Sequence, residues 1–148
     1  MSLQRSITDI GFKVLSESHR ALIRLTGGRI LGSAFGMPFV ELYTIGRVTG
    51  RSRVTVLTSP VHDENRVVLV ASKGGDDRNP DWYGNLTANP DVEIRIGGQL
   101  RKLRARTASA EEKEEIWPRI IGAYRGYAGY QSKTGRDIPV VICEARPA

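Results

Sequence analysis

From Pro38 onward the chain is a succession of short runs rich in β-branched and aromatic residues, separated by turns that mostly leave no room for a crossover helix. Residues 39–45, 53–61, 66–72, 92–96, 100–107 and 138–143 read as about six strands. The 46–52 segment, the 62–65 turn and the Gly97-Gly98 pair join them as hairpins. Hairpins pair strands antiparallel, whereas a doubly wound sheet needs a helix between each strand and the next. The pattern therefore selects a mainly β, α+β architecture: an antiparallel barrel with peripheral helices.

Three helices accompany the strands. Ile10, Val14, Leu22 and Leu25 share one face over residues 8–25, with Thr8 or Asp9 as cap and Gly27-Gly28 as stop. Pro80 stands at the favoured first position of a helix over 81–88, and Asn89-Pro90 ends it. Ser109 and Glu112 have the spacing of a capping box before a helix that runs to about Ala123. A tyrosine-bearing loop follows. The division expected is an N-terminal amphipathic helix and linker, 1–37, and a barrel domain, 38–148.

Lys and Arg number 22 against 16 Asp and Glu, a net charge of +6 that favours an anionic partner. The single cysteine, Cys143, excludes an intrachain disulfide framework and fits a reducing, cytoplasmic setting. It lies in an apolar run and reads as a buried strand residue. His19 and His62 are far apart, so no metal site is expected. No apolar run spans a membrane and no secretory signal is visible, but the basic N-terminal helix is a candidate peripheral membrane contact. Lys102, Arg104 and Arg106 alternate on one strand face without interleaved aromatics, which reads as a solvated face rather than a nucleic-acid site.

Four clusters can carry chemistry. The turn Gly46-Arg47-Val48-Thr49-Gly50-Arg51-Ser52-Arg53 holds three arginines and no acid, either a solvated turn or a phosphate cradle. Ala71-Ser72-Lys73-Gly74-Gly75 ends a strand in a hydroxyl, an amine and two glycines, an ordinary turn or a ligand edge. Asp81-Trp82-Tyr83-Gly84-Asn85 offers aromatics that pack a core or flank a planar ring. Tyr124, Tyr127 and Tyr130 recur every third residue and can wall an apolar cleft or donate a proton.

Together these strings resemble the deazaflavin-dependent nitroreductase family. The likeness runs over residues 38–145, through Leu42 to Arg47, Ser72-Lys73-Gly74-Gly75, Asn79 to Pro90, Tyr124 to Gln131, Thr134, Arg136 and Ile138-Pro139-Val140-Val141. It implies a split β-barrel of the flavin-reductase type and the coenzyme F420, an 8-hydroxy-5-deazaflavin with an anionic tail; FMN is the lesser alternative. It implies that Arg47, Val48, Thr49 and Arg53 meet the tail. Ala71, Ser72 and Lys73 would line the coenzyme, and Asp81, Trp82, Tyr83, Asn85 and Tyr127 would close over its ring. Tyr124, Tyr127 and Tyr130 would wall the acceptor, with Tyr127 the first choice of proton donor. Val48 departs from members that carry Lys there, with Arg51 the substitute contact. The function implied is hydride transfer from reduced F420 to a small-molecule electron acceptor: a quinone, an activated alkene or a nitroaromatic. The alternative is a non-catalytic split-barrel binder of F420, FMN or another anionic cofactor. Small split barrels commonly dimerise, so a homodimer is expected.

Overall fold

The structure is a computed structural model that describes residues 33–147; the helix expected over 8–25 lies outside the described residues. Eight strands form one antiparallel sheet: β1 (Ser33–Ala34), β2 (Met37–Ile45), β3 (Ser52–Thr58), β4 (Val61–His62), β5 (Arg66–Val70), β6 (Asp91–Ile96), β7 (Gln99–Thr107) and β8 (Val140–Ala145). Their order is β1-β2-β6-β7-β8-β5-β4, with β3 paired to β2 off this path. Among the described residues β3 bonds only β2, so the hydrogen-bonded ring stays open and the barrel is split. Three helices flank it: α1 (Asp81–Ala88), α2 (Ala110–Ala123) and α3 (Gly126–Ser132).

The expected hairpins are present. β2 and β3 pair from Phe39↔Thr58 to Ile45↔Ser52, and β6 and β7 from Asp91↔Arg104 to Ile96↔Gln99. Gly97 and Gly98 have φ of 58° and 81°, the left-handed pair that a two-residue hairpin turn requires. The second strand is shorter than expected. Pro60 has no N–H to give a ladder, and the chain breaks there into β3 and β4. Ser59 holds the break by donating its hydroxyl to the carbonyls of Val61 and Val68, at 2.9 and 2.8 Å.

Two further expectations are corrected. The stretch read as a linker contains the β1–β2 hairpin, closed by Phe35 and Gly36 at φ of 53° and 79°. The stretch after Ala123 read as a tyrosine-bearing loop is helix α3, despite two glycines. A smaller difference is that Pro80 caps α1 from outside, with extended backbone, rather than occupying its first position.

β5 and β8 explain their own sequences. Val67, Leu69, Val141 and Cys143 join one buried cluster with Val40, Leu42, Val92, Ile94 and the α1 residues Trp82 and Leu86. Val68, Val70 and Val140 point the other way, against Ile116 and Ile120 of α2 and Tyr127 of α3. Both strands are covered on both faces, so their apolar runs are continuous instead of alternating. Cys143 is fully buried, as expected, and burial pushes its thiol up to about 12.

The capping box forms as its spacing predicts. Ser109 Oγ accepts from the Glu112 N–H at 3.2 Å, and Glu112 Oε1 accepts from the Ser109 N–H at 3.0 Å. Arg106 adds a fork to Glu112, at 2.8 and 2.9 Å, and a bond to Glu144 at 2.7 Å. Arg104 pairs with Asp91. Two cations of the exposed β7 stripe are thus neutralised within the sheet face.

The Arg106 bonds, with the Ser109 N–H, lower the Glu112 carboxyl to about 2 from an ordinary 4.5. A depressed folded-state pKa stabilises above the unfolded value and is lost as pH falls through the folded one. Glu112→Gln should therefore cost under about 1 kcal/mol at pH 7, because the pair is partly solvent-screened. The gap between variant and wild type should close between about pH 4.5 and pH 2. Urea unfolding at several pH values measures it; a gap that persists at pH 2 would refute the assignment.

Candidate functional site

The four sequence clusters form a contiguous arc. It starts at the β2–β3 turn, where the Gly46 N–H donates to the Arg51 carbonyl at 2.8 Å and the Gly50 N–H to the Gly46 carbonyl at 2.8 Å. Thr49 Oγ1 accepts from the Arg51 N–H at 3.2 Å and from Arg53 Nη2 at 3.5 Å. Val48 is exposed at the tip.

Arg47 turns away from the other two arginines. Its backbone N–H and its Nη1 donate to Asn85 Oδ1, at 3.1 and 2.9 Å, and Nη1 also donates to the Asp81 carbonyl at 3.1 Å. A side chain on Gly84 would strike the guanidinium at 2.8 Å, so glycine is what lets Arg47 lie on the helix. Arg47 thus clips the basic turn to α1. Arg51 and Arg53 are exposed and make no ion pair among the described residues.

α1 is set by its own core side. Trp82 gives its indole to the buried cluster, and Asn85 is buried where Arg47 needs an acceptor. Tyr83 reaches β7, its hydroxyl 2.8 Å from Thr107 Oγ1. Asp81 is exposed at the first turn. These contacts make Arg47 a structural residue as well as a cation: Arg47→Ala should cost about 1–2 kcal/mol, the lower part of the range for charged hydrogen bonds because the side chain is 43% exposed. Thermal unfolding without any ligand tests this; an unchanged midpoint would refute it.

The strand-end loop leads through residues 76–79 into the start of α1. Ala71 is fully buried and Ser72 nearly so. Lys73, Gly74 and Gly75 then follow in left-handed backbone, with φ of 46°, 63° and 86°. Gly75 sits against α3: an added Cβ would come within 3.0 Å of the Tyr130 carbonyl and of Lys133. This contact joins the loop to the tyrosines.

The tyrosine rings pack edge to face, with centroids 5.4 Å apart for Tyr124–Tyr127, 6.3 Å for Tyr124–Tyr130 and 6.1 Å for Tyr127–Tyr130. The Tyr124 and Tyr130 hydroxyls meet at 3.5 Å, and this contact with burial pushes Tyr130 up to about 12. Tyr127 is the deepest, 5% exposed, and desolvation raises its pKa. Its hydroxyl has two weak partners, Thr58 Oγ1 at 3.3 Å and Met37 Sδ at 3.8 Å. Phe35, 75% exposed, stacks on Tyr124 with centroids 4.8 Å apart and planes 4° apart.

A family described as F420H(2)-dependent quinone reductase matches residues 15–145. The chain belongs to that family. It is an oxidoreductase, its cofactor is F420, and the reduction is that of a quinone. An F420H(2)-dependent quinone reductase of Mycobacterium tuberculosis is 40% identical to this reductase over 133 residues, 86% of this chain and 88% of its own. A solved F420-H2 dependent reductase is 41% identical, with a TM-score of 0.66 over 72% of this chain and 94% of its own. A second solved structure, described as a domain-swapped dimer, is 38% identical, with a TM-score of 0.66 over 84% of this chain and 98% of its own.

The reductase's donor set fits this coenzyme. An anionic tail needs cations that the fold has not already neutralised, and Arg51 and Arg53 are such cations. A planar ring needs a close backbone approach, and the left-handed Lys73–Gly75 turn presents backbone rather than bulk. Among the described residues no cluster of metal ligands occurs. No helix of the described residues is long and apolar enough to cross a membrane.

Sequence reading missed Phe35, Met37 and Thr58, which reach the tyrosines from the β1–β2 turn, β2 and β3. It also left Arg136 without a role. The Phe35-Gly36 pair was the one local signal, since an aromatic beside glycine is compatible with a tight turn.

Proposed function

We propose that the chain works as a cytoplasmic, homodimeric quinone reductase whose coenzyme follows the arc described above. The tail lies along the 46–53 turn, on Arg51 and Arg53 with Thr49, Val48 and the outer edge of Arg47. The ring lies between Ala71-Ser72-Lys73 and the start of α1, where Asp81, Tyr83 and Asn85 close the site and Trp82 supports it from the core. The quinone lies against Tyr124, Tyr127 and Tyr130. The dimer rests on the second structural relative, which is itself described as a domain-swapped dimer.

One observation carries this reading: uncommitted arginines, a left-handed strand-end loop and a tyrosine cluster are joined in one arc by the Arg47–Asn85 and Gly75–Tyr130 contacts. Bound reduced F420 supplies the hydride; the protein orients it and manages charge and protons. Hydride addition leaves negative charge on a quinone oxygen, which takes a proton to give the hydroquinone. Tyr127 serves this step because its O–H is desolvated and, among the described residues, held only by a threonine hydroxyl and a thioether. A donor without a strong ground-state acceptor gains most when an oxyanion forms. The raised pKa keeps it protonated at neutral pH.

The test is oxidation of reduced F420 by menadione, followed by the return of coenzyme absorbance. Turnover with F420 and none with reduced FMN is the result expected. Retention of FMN in place of F420 would overturn the coenzyme assignment. Light scattering checks the dimer, and a monomer at micromolar concentration would overturn that part.

A further inference from the structure

We propose that Arg136 is a positioning residue of the coenzyme site: its guanidinium clasps the 71–79 segment and holds Lys73 in the left-handed conformation that aims it at the coenzyme. This rests on the placement of F420 at Ser72-Lys73 proposed above.

Arg136 lies 64 residues from Ser72, on the segment between α3 and β8. Its Nη2 donates to the carbonyls of Ser72 at 2.9 Å and Ala71 at 3.2 Å. Its Nε donates to the Asp76 carbonyl at 2.9 Å, and Nη1 to Asn79 Oδ1 at 2.8 Å. One planar group therefore grips both ends of the turn and the residue just before the α1 cap. A lysine ammonium has neither the reach nor the fork for these acceptors.

Arg136 is itself fixed. The Gln131 amide donates to the Arg136 carbonyl at 2.7 Å, and Thr134 Oγ1 accepts from the Arg136 N–H at 3.3 Å. Thr134 in turn donates to Asp77 Oδ1 at 2.8 Å. Lys113 and the Ile138 N–H both donate to Gln131 Oε1, each at 3.0 Å, tying the segment to α2.

The clasp has something to restrain. Lys73 has φ of 46°, a left-handed conformation that strains a residue with a Cβ. Gly74 and Gly75 sit in the same region freely; lysine does not. Strain of this kind persists where the surrounding structure holds it, and it clusters at ligand clamps and active sites. Of the four Arg136 acceptors, the Ala71 and Ser72 carbonyls precede the strained residue and the Asp76 carbonyl and Asn79 Oδ1 follow it, so together they oppose its relaxation.

The test uses fluorescence titration of the full-length protein with oxidised F420. Arg136→Ala should weaken binding by tenfold or more while the circular-dichroism spectrum stays native. Arg136→Lys should fail to restore it. Millimolar guanidinium chloride should recover part of the lost affinity in Arg136→Ala, where equal sodium chloride does not; a residue that only stabilised the fold would show no such rescue. If Arg136→Ala does not fold, Arg136→Lys alone decides, and affinity within twofold of wild type overturns the proposal. Lys73→Ala separates the two levels. Weaker binding in Lys73→Ala with unchanged binding in the Arg136 variants refutes the clasp alone. Unchanged binding in Lys73→Ala refutes the coenzyme placement on which it stands.

Discussion

Replacing Tyr127 by Phe should slow single-turnover oxidation of bound reduced F420 by menadione about 10²-fold, the scale of a lost general acid. The Tyr127 ring is buried among Met37, Ile116, Ile120 and Ile138, and Phe fills the same space. Among the described residues the hydroxyl lost has only the long contacts to Thr58 and Met37, so the folded state gives up about 1 kcal/mol or less. Coenzyme affinity should stay within about twofold. The effect belongs to the transition state because the charge Tyr127 answers appears only during hydride transfer.

Tyr130→Phe is the control. Its hydroxyl already pairs with that of Tyr124, so it should change the rate much less. The wild-type rate should not decline on the alkaline side until the pH passes the ordinary tyrosine value of about 10, because burial moves the Tyr127 pKa upward from there. A Tyr127→Phe enzyme that reacts at the wild-type rate would mean that the proton comes from water or another tyrosine and would leave Tyr127 as packing.

The second large effect is on binding. Arg53→Ala should weaken F420 affinity by roughly tenfold or more, the size of a charged hydrogen bond of roughly 1.5–3 kcal/mol. Among the described residues its partner is Thr49 at 3.5 Å, and Thr49 keeps the Arg51 N–H, so the turn and the melting temperature should be nearly unchanged. That separates Arg53 from Arg47, whose removal should lower stability even with no coenzyme present. The deficit of Arg53→Ala should shrink in half-molar salt, because exposed charges are screened there. Unchanged affinity at low salt would remove the tail from this turn.

Much of the fold is legible because its determinants are local. The Gly97-Gly98 turn, the Ser109–Glu112 box and the β-branched and aromatic runs of β2 and β6 act within a few residues, and each appears where its residues place it. Pro60 and the Phe35-Gly36 pair were equally local but easily read as continuation and linker, because a two-residue strand leaves too short a pattern to count. Helix α3 was obscured by Gly126 and Gly129, whose low propensity is outweighed by burying Tyr127.

The candidate site divides the same way. The 46–53 turn, the 71–75 loop and the tyrosine triplet were legible in the sequence as candidate ligand contacts, each beside an ordinary structural reading, and the resemblance they carry implied an anionic deazaflavin. Which cation is free to meet that ligand was decided only by the tertiary structure. Arg47 and Arg53 are indistinguishable as letters, yet Asn85, 38 residues on, takes Arg47 for α1 and leaves Arg53 to solvent. Arg136 gave no local sign, because three of its four acceptors are backbone carbonyls that any residue carries, 60 to 65 positions away. Sequence pattern records what a residue does to its neighbours in the chain; a hydrogen bond across the fold depends on loop closures that no short window contains.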